Sequence, residues 1–440
     1  MKSFGLGSYA LSGGIALALL AGCGGPQPPV SAPFSSSTTR LIPVRTRASD
    51  TYSVLYSFTG SSGGAYPNGG LLNVDDTLYG TTSGGGRARC VRHQAKLSCG
   101  TVFAITTSGA ETQLYRFRGQ RKDGVSPNEG LIDVAGTLYG TTRKGGAFGR
   151  GIVYSIAQSG SETTLHSFGG SGDGVEPVAG LVSLNGILYG TTPDGGAHGD
   201  GTVYSITPSG SESVLYSFGA QSGDGTSPGS ALVNVKGTLY GTTPSGGSAA
   251  SCNKGGDCGT VFSITPDGKE RVLHDFGGAG DGRYPSGGLI YASGKLYGTT
   301  NSGGSSHACY EGCGTVFALT TSGKETVVYS FHPARARRNK DDAAYPYGTL
   351  TDMGSVLYGV ASDGPCRTSC STGGTIFAIT RSGSQRTLHL FKNASDGIYP
   401  NGQLTGVNGV LYGTTSDGGT GSGSCNGGGG ACGVVFALFP

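Results

Sequence analysis

The stretch Leu78-Tyr79-Gly80-Thr81-Thr82 decides the fold, because it recurs along the chain. Whole copies begin at Leu138, Leu188, Leu239, Leu296 and Leu411, and a degraded copy reads Leu357-Tyr358-Gly359-Val360-Ala361. The first residues of successive copies are 60, 50, 51, 57, 61 and 54 positions apart. A repeat of this length is typical of arrays, solenoids and propellers, in which each unit is one small supersecondary structure.

Each copy lies within four predicted strands, which we call A to D in chain order. In the first repeat they are residues 69–74, 77–82, 100–106 and 111–117. Two-residue turns join A to B and C to D, and five of the seven A–B turns have glycine second, as tight hairpins require. Strands B and C carry apolar residues on both faces, which indicates sheets packed between like sheets. The sequence therefore predicts an all-β, seven-bladed propeller of four-stranded antiparallel blades.

The two ends of the repeat region are complementary. Residues 52–58 form a lone D strand at the start, and the last repeat stops after its C strand, within residues 433–439. Pairing these two segments would complete blade seven, close the ring and remove an open sheet edge. The predicted organisation is a signal over residues 1–22, a lipidated Cys23 with a flexible tether to residue 50, and a propeller over residues 51–440.

The N-terminus predicts export. An apolar run around residues 15–20 ends in Leu20-Ala21-Gly22-Cys23, which resembles the bacterial lipobox, a motif whose cysteine receives the acyl chains. Gly24 follows, which by the same resemblance fits outer-membrane sorting. The alternative is ordinary cleavage after Gly22, which would leave a free thiol. Residues 24–50 are rich in Pro, Ser and Thr and predict a flexible tether. We expect an outer-membrane or cell-surface lipoprotein that meets the membrane through this anchor.

Ten of the 11 cysteines form five close pairs. These pairs predict five local disulfides and an oxidising compartment. Metal binding is the alternative, but no loop has a second Cys or His pair at ligand spacing. The predicted pairs are Cys90 with Cys99, Cys252 with Cys258, Cys309 with Cys313, Cys366 with Cys370, and Cys425 with Cys432.

The composition of the chain limits which classes of partner can be expected. Glycine is 86 of 440 residues and sits in register with the repeats, so it predicts turns rather than disorder. Charged residues are 13% of the chain and the net charge is +3, so no nucleic-acid partner is expected. We predict no cofactor and no metal, and a monomer.

The recurring pattern Leu-Tyr-Gly-Thr-Thr, Gly-Gly, Gly-Thr-Val-Phe, Ser-Gly, Leu-Tyr-Ser-Phe, Asp-Gly, Pro resembles the GloVer (Gloeo-Verruco) tandem repeat of exported bacterial proteins. The resemblance covers residues 52–440. It implies a surface location and brings no catalytic residues with it.

One face of the predicted ring carries all the variable loops. The A–B and C–D turns are uniformly tight, whereas all insertions and all five cysteine pairs fall in B–C or D–A loops. A glycan or a protein is the expected ligand of this face, because function concentrates on loops held by a rigid scaffold. Basic residues there predict an anionic-ligand patch, with a merely solvated surface as the alternative. The patch comprises Arg87, Arg89, Arg92, Lys96, Arg335, Arg337, Arg338 and Lys340, and Arg118, Arg121 and Lys122 lie nearby.

Three equivalent positions, which we call columns, carry the same residue type in several repeats. The D–A loops carry an aspartate, which predicts a turn cap rather than a Ca²⁺ ligand, because the loops lack a carboxylate ladder. The aspartates are Asp123, Asp173, Asp224, Asp281, Asp342 and Asp396. Glu111, Glu162, Glu212, Glu270 and Glu325 open strand D and predict a surface column on the outer rim. His166, His274 and His389 occupy a strand-D column that is tyrosine elsewhere and are expected to pack; the loop residues His93, His198, His307 and His332 are scattered.

Glu129 is the clearest single departure from the repeat, in Pro127-Asn128-Glu129, where other copies have Gly, Ala or Ser. No second carboxylate or nucleophile accompanies it in the sequence, and an active site needs several converging groups. The main prediction is therefore a surface-anchored, non-catalytic binding or scaffold propeller. The alternative is a secreted carbohydrate-active enzyme, a lyase or hydrolase, that uses Glu129 and loop residues over the channel.

Overall fold

The computed structural model describes residues 50–440 except 61, 87–98, 120–122, 249–257, 334–341, 364–372, 421–424 and 426–431. Within these residues seven four-stranded antiparallel blades form a ring, so the predicted seven-bladed β-propeller is confirmed. The predicted signal, Cys23 and residues 24–49 lie outside the described part of the chain.

Strands A to D run from the central axis to the rim. The A strands are Ala65–Val74, Gly124–Pro127 with Ile132–Val134, Val182–Leu184, Val233–Val235, Gly282–Pro285 with Ile290–Ala292, Ala344–Met353 and Ile398–Val407. The B strands are Thr77–Gly84, Thr137–Gly145, Ile187–Thr192, Thr238–Thr243, Lys295–Gly303, Val356–Asp363 and Val410–Asp417. The C strands are Thr101–Thr106, Ile152–Ala157, Thr202–Ile206, Thr260–Ile264, Thr315–Leu319, Thr375–Thr380 and Val434–Phe439. The D strands are Glu111–Arg116, Glu162–Ser167, Glu212–Ser217, Glu270–Asp275, Glu325–Ser330, Gln385–Leu390 and, for blade seven, Thr51–Ser57.

Strand A reaches further towards the loop face than the sequence predicted. Strand A of blade one begins at Ala65 rather than residue 69, and Pro67 pairs with Thr82 of strand B. In blades three and four the equivalent pairing is a separate two-residue ladder, Gly174–Val175 with Asp194–Gly195 and Gly225–Thr226 with Ser245–Gly246. The D–A connections are therefore partly built into the blades.

The glycine of the repeated stretch makes room for an aromatic ring. Gly80 lies opposite Phe103 of strand C, and a Cβ added at Gly80 would stand 2.5 Å from the ring carbon Cζ. Every blade repeats this pairing of a glycine in strand B with a phenylalanine or tyrosine in strand C. Phe103 is fully buried, so the aromatic ring fills the space between blades.

The first threonine of the stretch joins neighbouring blades. The hydroxyl of Thr81 donates to the carbonyl of Glu129 in the next blade at 3.1 Å, and Thr191 makes the same bond to Ser230. Thr141, Thr242, Thr299 and Thr414 make the equivalent bonds to Ala179, Gly287, Gly348 and Gly69. The degraded copy has Val360 here and has no hydroxyl to donate. This explains why the repeat favours threonine at a buried position.

The ring closes as predicted. The first strand, Thr51–Ser57, pairs antiparallel with the last, Val434–Phe439, and completes blade seven. Blade seven's own A strand contacts blade one as well, where Thr405 donates to the carbonyl of Leu71. Among the described residues the one helical segment is a 3₁₀ turn, Ala394–Asp396, and no helix there is long and apolar enough to span a bilayer.

Candidate functional site

A cavity of about 230 Å³ lies on the axis of the ring and is lined by the innermost strands of all seven blades. Glycine is the commonest residue in its walls, because seven strands converge there backbone to backbone. A Cβ at Gly402, whose φ is 73°, would lie 2.3 Å from the carbonyl carbon of Gly69 in the next blade. The lining therefore exposes peptide groups, together with a few polar side chains such as Ser230, Thr349 and Gln403.

Glu129 breaks the symmetry of this lining. It is the one ionisable side chain among the described residues that line the cavity. The carboxyl group is surrounded by protein although part of it faces the cavity, and this desolvation raises its pKa to about 7. The N–H of Gly130 donates to the carboxylate and offsets part of the shift. Glu129 is thus half-ionised near neutral pH, as suits a group that accepts and returns a proton.

Three asparagines, each within two residues of a cavity-lining residue in the chain, form a hydrogen-bonded arc. Asn401 Nδ2 donates to Asn68 Oδ1 at 2.8 Å, and Asn68 Nδ2 donates to Asn128 Oδ1 at 3.3 Å. The arc spans blades seven, one and two. Asn128 directly precedes Glu129 in the chain. The arc therefore ends one residue before the carboxylate that lines the cavity.

The asparagine arc was missed in the sequence. Its signal is present, because Pro67, Pro127 and Pro400 are each followed by asparagine, whereas the other four copies have Val, Gly, Ser or Tyr there. Closure of the ring brings the first, second and seventh copies together, so residues 333 positions apart come into contact.

The loop-face predictions fall into two groups. Cys309–Cys313 and Cys425–Cys432 form local disulfides, and Cys99 and Cys258 are also disulfide-bonded. Arg118, His198, His307 and His332 are exposed. The following lie outside the described residues: Arg87, Arg89, Cys90, Arg92, His93, Lys96, Arg121, Lys122, Cys252, Arg335, Arg337, Arg338, Lys340, Cys366 and Cys370.

Five of the six aspartates cap turns as predicted, whereas Asp396 lies in the 3₁₀ turn and accepts from Ser395 Oγ. Asp173 accepts the N–H groups of Gly169 and Gly174, and Asp281 accepts those of Gly277 and Gly282. Asp123 and Asp342 make equivalent bonds to the residues that follow them. Each carboxylate also faces the Tyr or His column of strand D, so these loops are fastened to the rim.

The glutamate column is not a surface column, and this prediction is corrected. Each of these five glutamates is half-buried between two blades, where it faces the Tyr or His of strand D in the preceding blade. Burial raises the pKa of all five carboxyl groups, to about 7 for Glu212, Glu270 and Glu325. The period of the repeat shows which residues recur but does not show that the next blade covers them.

Solved propellers resemble the chain at low identity. A gluconolactonase from Xanthomonas campestris is 12% identical, with 88% of this chain and 89% of that one covered and a TM-score of 0.40. An aldose sugar dehydrogenase from Streptomyces coelicolor is 13% identical, with 89% and 99% covered and a TM-score of 0.42. At this identity the similarity shows the propeller fold alone.

These solved proteins are named as enzymes, whereas the sequence predicted a non-catalytic binding or scaffold module. That prediction is corrected to this extent: the solved propellers that resemble the chain are named as enzymes. Candidate catalytic residues and substrates of this chain must therefore be inferred from its own cavity.

No curated protein matches the chain. The family model of the Gloeobacter/Verrucomicrobia repeat matches residues 44–255 and 250–428, which is most of the length. The match runs through all seven blades and agrees with the resemblance seen in the repeated motifs. The chain therefore belongs to the Gloeobacter/Verrucomicrobia repeat family.

Proposed function

We propose that the axial cavity is the active site of a hydrolase or lyase that acts on a small carbohydrate-derived substrate, with Glu129 as its general base. The observation that carries this proposal is Glu129 itself, a desolvated carboxylate at the centre of an otherwise neutral cavity. Perturbed carboxylates in cavities are characteristic of catalytic sites. A binding module has no evident need for a group that titrates near neutral pH.

The rest of the cavity suits a hydroxyl-rich ligand. Peptide groups and the side chains of Ser230, Thr349 and Gln403 offer neutral donors and acceptors, as sugar hydroxyls require. The cavity is smaller than the ~300–1,000 Å³ of pockets for drug-sized ligands. It therefore favours one sugar ring, or the end of a chain, over a long oligosaccharide.

A single carboxylate limits the chemistry. Most glycosidases use two carboxyl groups flanking the bond, whereas the described cavity lining supplies one. One base is enough to activate water for hydrolysis of a sugar lactone. The Glu129 carboxylate takes a proton from water, and the water oxygen attacks the carbonyl carbon to give a tetrahedral oxyanion. The proton then returns to the leaving hydroxyl. One base is also enough for β-elimination from a uronate. Glu129 removes the proton from the carbon beside the carboxyl group, the C–O bond to the neighbouring sugar breaks, and the leaving oxygen takes that proton back from Glu129.

The test is turnover by the purified protein of three substrate classes: sugar lactones, uronate oligosaccharides and aryl glycosides. We expect activity on the first or second class, lost in Glu129→Gln, which keeps the shape but cannot accept a proton. Glu176→Gln is the matched control, because Glu176 lies in an ion pair with Arg143 and is absent from the cavity lining. Equal turnover by Glu129→Gln, or none by the wild-type protein on any class, would contradict the proposal.

We propose further that the protein is exported and held at the outer membrane through lipidated Cys23. The lipobox-like Leu20-Ala21-Gly22-Cys23 and the cysteine pairs support this location. A lipid anchor would keep a small-substrate enzyme where its substrates arrive. Incorporation of a labelled fatty acid by the wild-type chain, and its loss with membrane release in Cys23→Ser, is the expected result. Labelling of Cys23→Ser would refute the assignment of the anchor.

A further inference from the structure

Neighbouring blades meet at the rim through three side chains, which we call the rim trio. A Tyr or His in strand D of one blade faces the aspartate of the following D–A loop and the first residue of strand D in the next blade. In the tyrosine version, Tyr115 donates to Asp123 and to Glu162, both at 3.4 Å. Tyr216 and Tyr329 likewise donate to Asp224 and Asp342.

Two interfaces replace this tyrosine by histidine and keep both carboxylates. His166 Nε2 lies 3.0 Å from Asp173 Oδ2, and Glu212 of the next blade completes the trio. His274, Asp281 and Glu325 repeat the arrangement two blades further on, with the same 3.0 Å separation. In each trio every residue offers one atom that could bind a metal ion, and these three atoms lie within 4.8 Å of one another. The third histidine, His389, has Tyr52 in place of the glutamate.

We propose that His166–Asp173–Glu212 and His274–Asp281–Glu325 are two equivalent sites for a divalent transition metal ion, which clamps adjacent blades together. One imidazole and two carboxylates are a donor set that Zn²⁺ and similar ions accept, whereas Ca²⁺ and Mg²⁺ favour oxygen alone. The proposal runs against the sequence prediction that these histidines only pack and that the chain binds no metal.

The spacing fits a shared ion. Donors at about 2.0–2.2 Å from a metal ion lie at most ~4.4 Å apart, so a small rotation of the glutamate completes the site. The ion would replace the proton of the hydrogen bond between His166 Nε2 and Asp173 Oδ2. The side chain of His166 is 22% exposed and that of Asp173 is 10% exposed, so the protein encloses most of the site and a water molecule can fill a fourth position.

The charge balance also favours a cation. Glu212 Oε1 and Glu325 Oε1 are buried and have no hydrogen-bond partner among the described residues. Glu270, in a tyrosine trio, has a similar orphan oxygen but no imidazole beside it. A divalent ion would neutralise both carboxylates of a histidine trio and satisfy the orphan oxygen.

The repeat supplies substitutions that the fold already accepts. Tyrosine occupies the histidine position in four blades, so His166→Tyr and His274→Tyr are expected to fold. Glutamine occupies the glutamate position as Gln385, so Glu212→Gln and Glu325→Gln serve as a second, independent pair. His389→Tyr is the control, because that trio lacks the glutamate.

The experiment is equilibrium dialysis of the oxidised full chain against Zn²⁺ at pH 7.5, with bound metal measured by elemental analysis. We expect two equivalents for the wild-type protein and for His389→Tyr, one for each single His→Tyr variant, and none for the double variant. Binding should weaken as the pH falls to 6, because protons compete for the imidazole and the glutamate. The same loss is expected for the Glu→Gln pair.

Two results would overturn the assignment. One is a wild-type protein that binds no more Zn²⁺ than the folded double His→Tyr variant. The other is a Glu→Gln pair that retains both equivalents. The rim sites are remote from the axial cavity, so neither result depends on whether the chain is an enzyme.

Discussion

The ring of Tyr52 stacks on the ring of His389, with centroids 3.9 Å apart and planes inclined by 8°. Tyr52 belongs to the strand that closes blade seven, and His389 belongs to strand D of blade six. Tyr52 also packs near Phe391 and Phe436 and donates a hydrogen bond to the carbonyl of Asp396. The closing strand is therefore held by the face of a neighbouring blade as well as by its ladder to strand C.

We predict that Tyr52→Ala lowers the free energy of unfolding by about 2–4 kcal/mol, since it removes a buried aromatic ring at the closure. Chemical denaturation measures the change. Tyr52→Phe is the control: it keeps the stack and loses one hydrogen bond, so it should cost about 1 kcal/mol. If the two variants are equally stable, ring stacking does not secure the closure.

A second prediction concerns the threonine bonds between blades. Thr191 is 1% exposed and donates to the carbonyl of Ser230 at 3.1 Å. Thr191→Val has nearly the same shape but leaves that carbonyl unsatisfied, so stability should fall by about 1–2 kcal/mol. Thr191→Ser keeps the hydroxyl and isolates the methyl contribution. Val360 shows that valine fits this position, so an unchanged melting curve for Thr191→Val would mean that the bond contributes nothing.

The fold was predictable because each blade repeats the same residues in the same places. Gly80 must face an aromatic ring, and the turn at Asp75 and Asp76 has positive φ at both positions. Because these requirements recur in each repeat, the spacing of the repeated residues predicts where the strands lie and which strands pair. Closure followed from counting one D strand too many at the start. These predictions needed only the order of the repeats along the chain and no knowledge of the contacts between blades.

The site was only half predictable. Glu129 stands out because it departs from a column of small residues, and such a departure is visible in sequence. Its elevated pKa arises from the convergence of seven strands, and the Asn401–Asn68 contact depends on ring closure. The rim glutamates illustrate the same limit, because the blade that covers Glu212 is not part of the repeat that contains it.

A third prediction concerns the disulfide of blade seven. A Cβ added at Gly60 would lie 2.5 Å from Cys432 Sγ and 2.8 Å from Cys425 Sγ, so the bridge packs on the turn that follows the closing strand. Its short loop limits the global effect to below ~3 kcal/mol. We expect the double variant Cys425→Ser/Cys432→Ser to raise amide hydrogen exchange in residues 51–57.

The disulfide Cys309–Cys313 in blade five provides the control for that experiment. Its double serine variant should leave exchange in residues 51–57 unchanged, because the bridge lies in another blade. Faster exchange in both variants would indicate a general loss of stability rather than a local clamp. Non-reducing peptide mapping of the wild-type chain should link each cysteine to the partner in its own loop.

The last prediction uses Glu129 without knowledge of any substrate. Burial raises its pKa from 4.5 to about 7, so the folded protein binds this proton more tightly than the unfolded chain does. The protonated carboxyl group is the stable form in the fold. The free energy of unfolding therefore falls as pH rises from about 4.5 to 7, and the loss is complete above 7.

Glu129→Gln keeps a neutral group at every pH and escapes this loss. The variant should match the wild type at pH 4 and exceed its stability by roughly 1–3 kcal/mol at pH 8, as the size of the shift implies. The rim glutamates titrate in both proteins, so the difference between the two curves isolates Glu129. Glu176→Gln should show no such gain at pH 8. A constant difference between wild type and Glu129→Gln from pH 4 to 8 would mean that the axial carboxylate has an ordinary pKa, and the catalytic proposal would lose its base.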